Sequence, residues 1–252
     1  MNAKLNHKKI LTEIKKISDH HINYISKNYE LSFYDKTIFI NLNFDKALKS
    51  ILETLISTEK DSESHYSFCV LYRTVIEIFF KTLFLVSEGS KNSDNKSNEF
   101  MKTGFMETLS YFEIIKEYLS DDARIKMEDL FAGMLIDSDR EVVKSFKFRH
   151  ILTNLKFYKF DSNFKDKFLK DYFVLCSYVH GGYAALNSFY ENDFDEPSKK
   201  EILDFTLFIF HFNRMTTFKM YTLKVNQKKP FLDVYDKLNE IKDTIIENVK
   251  IN

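Results

Sequence analysis

FCVLYRTVIEIFFKTLFLV, residues Phe68–Val86, is the most apolar long stretch of the chain and decides the fold. Its only charges are Arg73, Glu77 and Lys81, which recur every four residues. That spacing puts all three on one stripe of an α-helix, with Thr74 beside it. Every other face is apolar, so neighbouring elements must cover most of the helix. The same three charges argue against a membrane span. The stretch therefore predicts a central core helix in which Ile76, Phe79, Phe80 and Leu83 are buried.

Composition points the same way. The 252 residues contain only five Gly and two Pro. Glycine-rich phosphate loops and dinucleotide turns need several glycines within a few residues, and no such cluster exists. A β-fold needs turn residues every few positions, and these are missing as well. Apolar residues make up 44% of the chain and 26 residues are Phe, enough for a sizeable helical core. The expected fold class is all-α, a multi-helix bundle.

Working outward, Leu5, Ile10, Ile14, Ile17, Ile22 and Ile25 recur about once per turn and predict a first helix ending near Asn28. The β-type residues Thr37–Ile40 suggest one short strand or extended segment near residues 36–42. Asn43 reads as the N-cap of a helix through Leu48, Ile51, Leu52 and Leu55. Gly89 reads as the C-terminal stop of the core helix, and Gly89–Asn98 as a polar loop. Further helices are expected at about Glu99–Leu119, Asp121–Ile136, Arg140–Tyr158, Asn163–Tyr190, Ser198–Val225 and Phe231–Lys250. No linker divides the chain. A single helical domain over 1–252 is expected, with helices of 1–60 packing on a 64–252 core.

The 37 basic and 37 acidic residues cancel, so no global charge favours nucleic acid or an anionic membrane. Locally the charge is uneven. Lys144–Asp171 holds eight basic and three acidic residues interleaved with Phe and Tyr. Lys144, Lys147, Arg149, Lys156 and Lys159 are its candidate nucleic-acid contacts, the alternative being solvated helix faces. Phe205–Leu232 carries Arg214, Lys219, Lys224, Lys228 and Lys229 and no acid. Cys69 and Cys176 sit in apolar runs and read as buried free thiols of a reducing compartment. With no signal peptide and no spanning segment, a cytoplasmic location is expected.

Two segments carry candidate chemistry. On the core helix, Glu77 is placed to hold the Arg73 guanidinium, which then suits a phosphate or another anion. The other segment is DYFVLCSYVHGG, residues Asp171–Gly182. Ser177 and His180 are three apart, so they share a helix face. Gly181-Gly182 within a helix costs about 1 kcal/mol per Gly relative to Ala, which suggests a kink or a close neighbour. His180 titrates near neutrality and suits acid–base work; a structural role beside the kink is the alternative. His20-His21 cannot direct both rings to one metal from a regular helix, and no metal or cofactor motif is present.

LYRTVIEIFFKTLFLVSEG and DYFVLCSYVHGG resemble two helices of the HEPN superfamily. The resemblance spans roughly Ser64–Gly89 and Lys170–Tyr183. It implies an all-α bundle, commonly a homodimer, of prokaryotic antiviral-defence or toxin systems. Active members are metal-independent ribonucleases in which four to six residues separate an Arg from the catalytic His. Positions 173–175 here are Phe, Val and Leu, so Arg73 has to supply that charge. The resemblance thus implies a catalytic set of Arg73, Glu77, Ser177 and His180 acting on RNA. The alternative is a non-catalytic helical module that binds a protein or nucleotide partner in a defence complex.

If the Lys144–Lys170 stretch tracks a phosphate backbone, RNA affinity should fall steeply with added salt, because each phosphate contact releases a counterion. Filter binding at rising salt measures the slope; a flat slope returns these lysines to solvated faces.

Overall fold

The computed structural model describes residues 6–28, 33–58, 62–86, 90–132, 151, 171–172, 175–176 and 198–246. Among them the regular elements are α1 (His7–Asn28), α2 (Phe33–Ser57), α3 (Ser62–Val86), α4 (Ser90–Ile115), a 3-10 turn (Lys116–Tyr118), α5 (Asp121–Ala132), α6 (Lys199–Lys224) and α7 (Lys229–Ile246). No strand occurs among the described residues, and the fold is all-α. No helix among them is long and apolar enough to cross a membrane. The chain forms two compact units, Met1–Leu83 with Lys156–Asn252, and Phe84–Leu155.

In the first unit, α6 lies at the centre. It packs most extensively on α2 and α7, and also on α1. Its start is set by a capping box: the Ser198 hydroxyl accepts from the Glu201 N–H, and the Glu201 carboxylate accepts from the Ser198 N–H at 2.7 Å. Every residue from Ile202 to Leu207 is buried, so the helix is covered on all sides there. Such a helix must satisfy its own polar groups. Thr206 and Thr217 donate back to the carbonyls of Ile202 and Asn213. His211 Nε2 meets the Leu238 carbonyl of α7 at 2.7 Å, and the Asn213 amide donates to the Asn41 carbonyl of α2 at 2.9 Å.

Arg214 is the largest fully buried side chain, 1% exposed. Its Nε and Nη2 grip both Asp45 oxygens at 2.8 and 3.1 Å. Its Nη1 donates to Ser18 at 2.6 Å and forms an ion pair with Asp19, also at 2.6 Å. The guanidinium lies over the Phe210 ring, 4.3 Å from the centroid. One cation therefore ties α6 to α1 and α2. Lys49 adds a second positive charge to Asp19 at 3.3 Å. Burial pushes the Asp45 carboxyl above its ordinary value even beside Arg214, so desolvation dominates at this pair.

The apolar side of α3 is buried as its sequence predicts at Ile76, Phe79 and Phe80, whereas Leu83 is only half-buried. Phe79 meets Phe205, Phe208 and Phe212 of α6 at centroid distances of 5.6, 6.3 and 6.1 Å.

Three local expectations are corrected. Residues 36–42 are not extended but lie within α2. Thr37, Ile38, Ile40, Asn41, Leu42, Asp45, Leu48, Leu52 and Leu55 are all buried there. This is a helical face, and burying it outweighs the β-preference of a few branched side chains. Asn43 is accordingly no N-cap; it sits inside the helix and its amide donates to the Phe39 carbonyl at 2.9 Å. The polar stretch from Ser90 is helix, the first turns of α4. In the second unit, Lys96 lays its ammonium 4.1 Å from the Phe84 ring centroid and donates to the Phe84 carbonyl. Phe112 is buried in the same unit, while Tyr111, Ile114 and Tyr118 are exposed. The helices expected at Arg140–Tyr158 and Asn163–Tyr190 lie largely outside the described residues.

Phe79→Ala should destabilise the protein by about 3–5 kcal/mol in urea denaturation, since it empties a space ringed by α6 aromatics. Asp45→Ala should cost about 3–5 kcal/mol, because it strands a buried guanidinium. Asp45→Ala combined with Arg214→Met should recover most of that loss, since no charge is then left unpaired.

Candidate functional site

The charged stripe of α3 follows from the packing of its apolar side. Tyr72 and Phe79 turn toward Phe205 of α6, at 5.8 and 5.6 Å. Arg73, Glu77 and Lys81 are thereby left on another side, each half-buried. There Arg73 meets Tyr172 and Cys176, and Glu77 meets Tyr172.

Glu77 is the hub. Its Oε1 accepts from Arg73 Nη2 at 2.8 Å and from the Tyr172 hydroxyl at 2.7 Å. Lys81 Nζ stands 4.0 Å from Oε2. Arg73 Nη2 also reaches the Tyr172 oxygen at 3.1 Å, and Nε donates to the Cys176 sulfur at 3.5 Å. The Tyr172 ring lies 5.2 Å from the guanidinium carbon. Nη1 has no partner among the described residues. The arrangement fixes the guanidinium through Nε and Nη2. Arg73, Glu77 and Lys81 together carry a net charge of +1.

The surroundings of Arg73 and Tyr172 hold both in their protonated forms. Burial works against the Arg73 charge, but the bond to Cys176 and the Glu77 carboxylate outweigh it and raise its pKa. Burial, then the hydrogen bond to Glu77, pushes the Tyr172 hydroxyl well above its ordinary value. Tyr72, one residue before Arg73, is raised as well, chiefly by burial. Neither tyrosine is a base at neutral pH. Tyr172 acts as a fixed donor that orients Glu77, and Glu77 orients Arg73.

Of the residues the sequence singled out, Arg73 and Glu77 are brought together. Ser177 and His180 lie outside the described residues, one and four positions after Cys176. Lys144, Lys147, Arg149, Lys156 and Lys159 lie outside them too. Cys69 is a buried free thiol, as expected, but Cys176 is half-exposed and accepts from Arg73. Sequence reading missed Tyr172 and Cys176 as site residues. Their spacing held the signal: Tyr172, Cys176 and His180 recur every four residues, the period of the Arg73 stripe. It also missed His7, whose Nε2 meets Asp204 at 2.6 Å, with Lys200 on the other carboxylate oxygen at 3.2 Å. Among the described residues no group of three His, Cys, Asp or Glu side chains is placed to hold a metal ion.

The chain belongs to a family of unknown function (DUF5677), whose model matches residues 37–198. The match includes α2–α5 and the segment of Tyr172 and Cys176, and ends before α6. Arg73 and Glu77 are thus inside the family's span, whereas His7, Arg214 and α7 are outside it. No curated protein and no solved structure matches the chain.

Tyr172→Phe should cost about 1 kcal/mol, the net worth of one hydrogen bond. The tyrosine's pKa also sets a pH dependence. Its folded value lies above the unfolded value near 10.0, so its contribution is complete below pH 10. As pH rises further the unfolded chain ionises first and the contribution is lost. Stability of wild type and Tyr172→Phe should therefore converge above pH 10, read by denaturation at stepped pH.

Proposed function

We propose that this chain is a HEPN-like protein of a prokaryotic antiviral-defence or toxin system, working in the cytoplasm as a homodimer. Its activity on this reading is metal-independent cleavage of RNA. One observation carries the proposal. The Arg73 guanidinium of α3 is bonded to Tyr172 and Cys176, and so to the segment in which Ser177 and His180 follow. The two segments that resemble the superfamily are therefore in contact at their polar residues.

The chemistry follows from the residue types. Arg73, oriented by Glu77, binds a phosphodiester and stabilises the charge that builds on phosphorus. His180 takes the proton from the ribose 2′-hydroxyl, whose oxygen attacks the neighbouring phosphorus. The bond to the 5′-oxygen breaks, and His180 returns its proton to that leaving oxygen. The products are a 2′,3′-cyclic phosphate and a 5′-hydroxyl. Ser177 holds the imidazole. Lys144, Lys147, Arg149, Lys156 and Lys159 supply contacts to the rest of the strand.

A second reading is supported by the closed side of the same site. Glu77, Tyr172 and Cys176 already occupy Nε and Nη2 of Arg73, which suits a helix-to-helix tie in a non-catalytic module that binds a protein or nucleotide partner. The two readings separate in one experiment. Purified protein is incubated with structured and single-stranded RNA in a chelator. On the ribonuclease reading, cleavage leaves cyclic phosphate ends, and His180→Ala lowers the rate at least ~100-fold with thermal stability unchanged. Wild-type protein that leaves RNA intact sinks that reading in favour of the module.

A further inference from the structure

The first unit holds a second cleft, of about 550 Å³, between α1 and the turn joining α6 to α7. Small-molecule sites commonly span roughly 300–1,000 Å³. Tyr24, His20 and His21 of α1 line one side; Asn226, Gln227 and Phe231 line the other. The stretch Phe205–Leu232, basic and without an acid, is the sequence feature that the Arg73 site leaves unexplained. Arg214 drops out of it, being spent in the core. What remains at the turn is the exposed pair Lys228 and Lys229, directly after Gln227.

The aromatic wall is half fixed and half open. Phe231 is buried and held edge-on by Tyr221 at 4.8 Å and by His21 at 5.8 Å. Tyr24 stands 5.9 Å from Phe231 and is 50% exposed, so a ring face is open to a flat guest. His21 adds an unmet polar group: its Nδ1 is buried and has no hydrogen-bond partner among the described residues. Such an atom is costly to leave unpaired, and being closed to solvent it marks the packed floor of the cleft and not a ligand contact. Burial, then the proximity of His20 and Lys237, holds the His21 pKa below its ordinary value, so the ring is neutral. The exposed amides of Asn226 and Gln227 supply both donors and acceptors.

We propose that this cleft binds the base of a nucleotide. The base stacks on Tyr24, its edge bonds the amides of Asn226 and Gln227, and its phosphate faces Lys228 and Lys229. The combination of a flat aromatic face, edge polarity and an adjoining cationic pair fits this chemistry better than a purely apolar guest. The proposal shares no residue with the Arg73 site and does not depend on RNA cleavage. The base is that of a free mononucleotide or of a nucleotide in a single strand, which share this chemistry.

Calorimetric titration of the full chain with AMP, UMP, adenosine and a short single-stranded RNA tests it. Saturable binding is expected, weaker for adenosine than for AMP. Tyr24→Ala should weaken it about tenfold or more at unchanged melting temperature. Gln227→Ala should weaken it as well, and Lys228→Ala with Lys229→Ala should flatten its salt dependence. Binding of the strand but not of the mononucleotides, still lost with Tyr24→Ala, identifies a strand as the source. No saturable binding at millimolar ligand overturns the proposal. So does binding that Tyr24→Ala leaves intact, or binding lost with Arg73→Ala instead.

Discussion

Arg214 is a full positive charge 1% exposed in a core built on Phe, and the packing of the first unit depends on how that charge is met. An unpaired guanidinium there would be prohibitive, so α1 and α2 must arrive in the register that delivers Ser18, Asp19 and Asp45. Hydrophobic burial alone is tolerant of sliding, since one Ile or Leu substitutes for the next. A bidentate grip on Asp45, 169 positions earlier in the chain, is not. The network therefore contributes selectivity among packings more than net stability, in keeping with the raised Asp45 pKa. His211 on Leu238 and Asn213 on Asn41 repeat the device along the same helix, and each again fixes α6 against one neighbour.

The Arg73 site uses the same chemistry under different constraints. It too pairs an arginine with a carboxylate, but both are half-buried and one edge of the guanidinium is left without a partner among the described residues. A buried arginine that is fully met makes a frame. One that is met through Nε and Nη2 alone, like Arg73, is held in a fixed direction. Tyr172 is what separates the two cases here, because its hydroxyl stays protonated and anchors Glu77 without competing for charge. The aromatic cleft at Tyr24 and Phe231 stands on other helices and on residues beyond the family's matched span.

Much of the fold was legible in the sequence. The scarcity of Gly and Pro and the apolar periodicity pointed to a helical bundle, and the α3 stripe of Arg73, Glu77 and Lys81 was visible from spacing alone. The strand expected near residues 36–42 was misread because Thr37–Ile40 was weighed by local preference. Its neighbours Asn41, Asp45 and Leu48 extend the same buried face and settle it as helix. Ser90–Asn98 was misread as a loop because its polar composition hides Ser97, which is buried. Half of the candidate site was legible. Arg73 and Glu77 stood out as charges on an apolar helix, whereas Tyr172 and Cys176 looked like ordinary core residues until a partner lay against them.

The sequence by itself determined the class of fold and the faces of α1 and α3 that turn inward. These rest on local periodicity and on contacts within a few residues, which one helix contains in full. Tertiary structure decided which arginine is sealed in the core and which is half-buried, and where Tyr172 points. Arg214 and Arg73 are chemically identical in the sequence. They differ only in what packs around them, and those groups come from parts of the chain about 100 to 200 positions away.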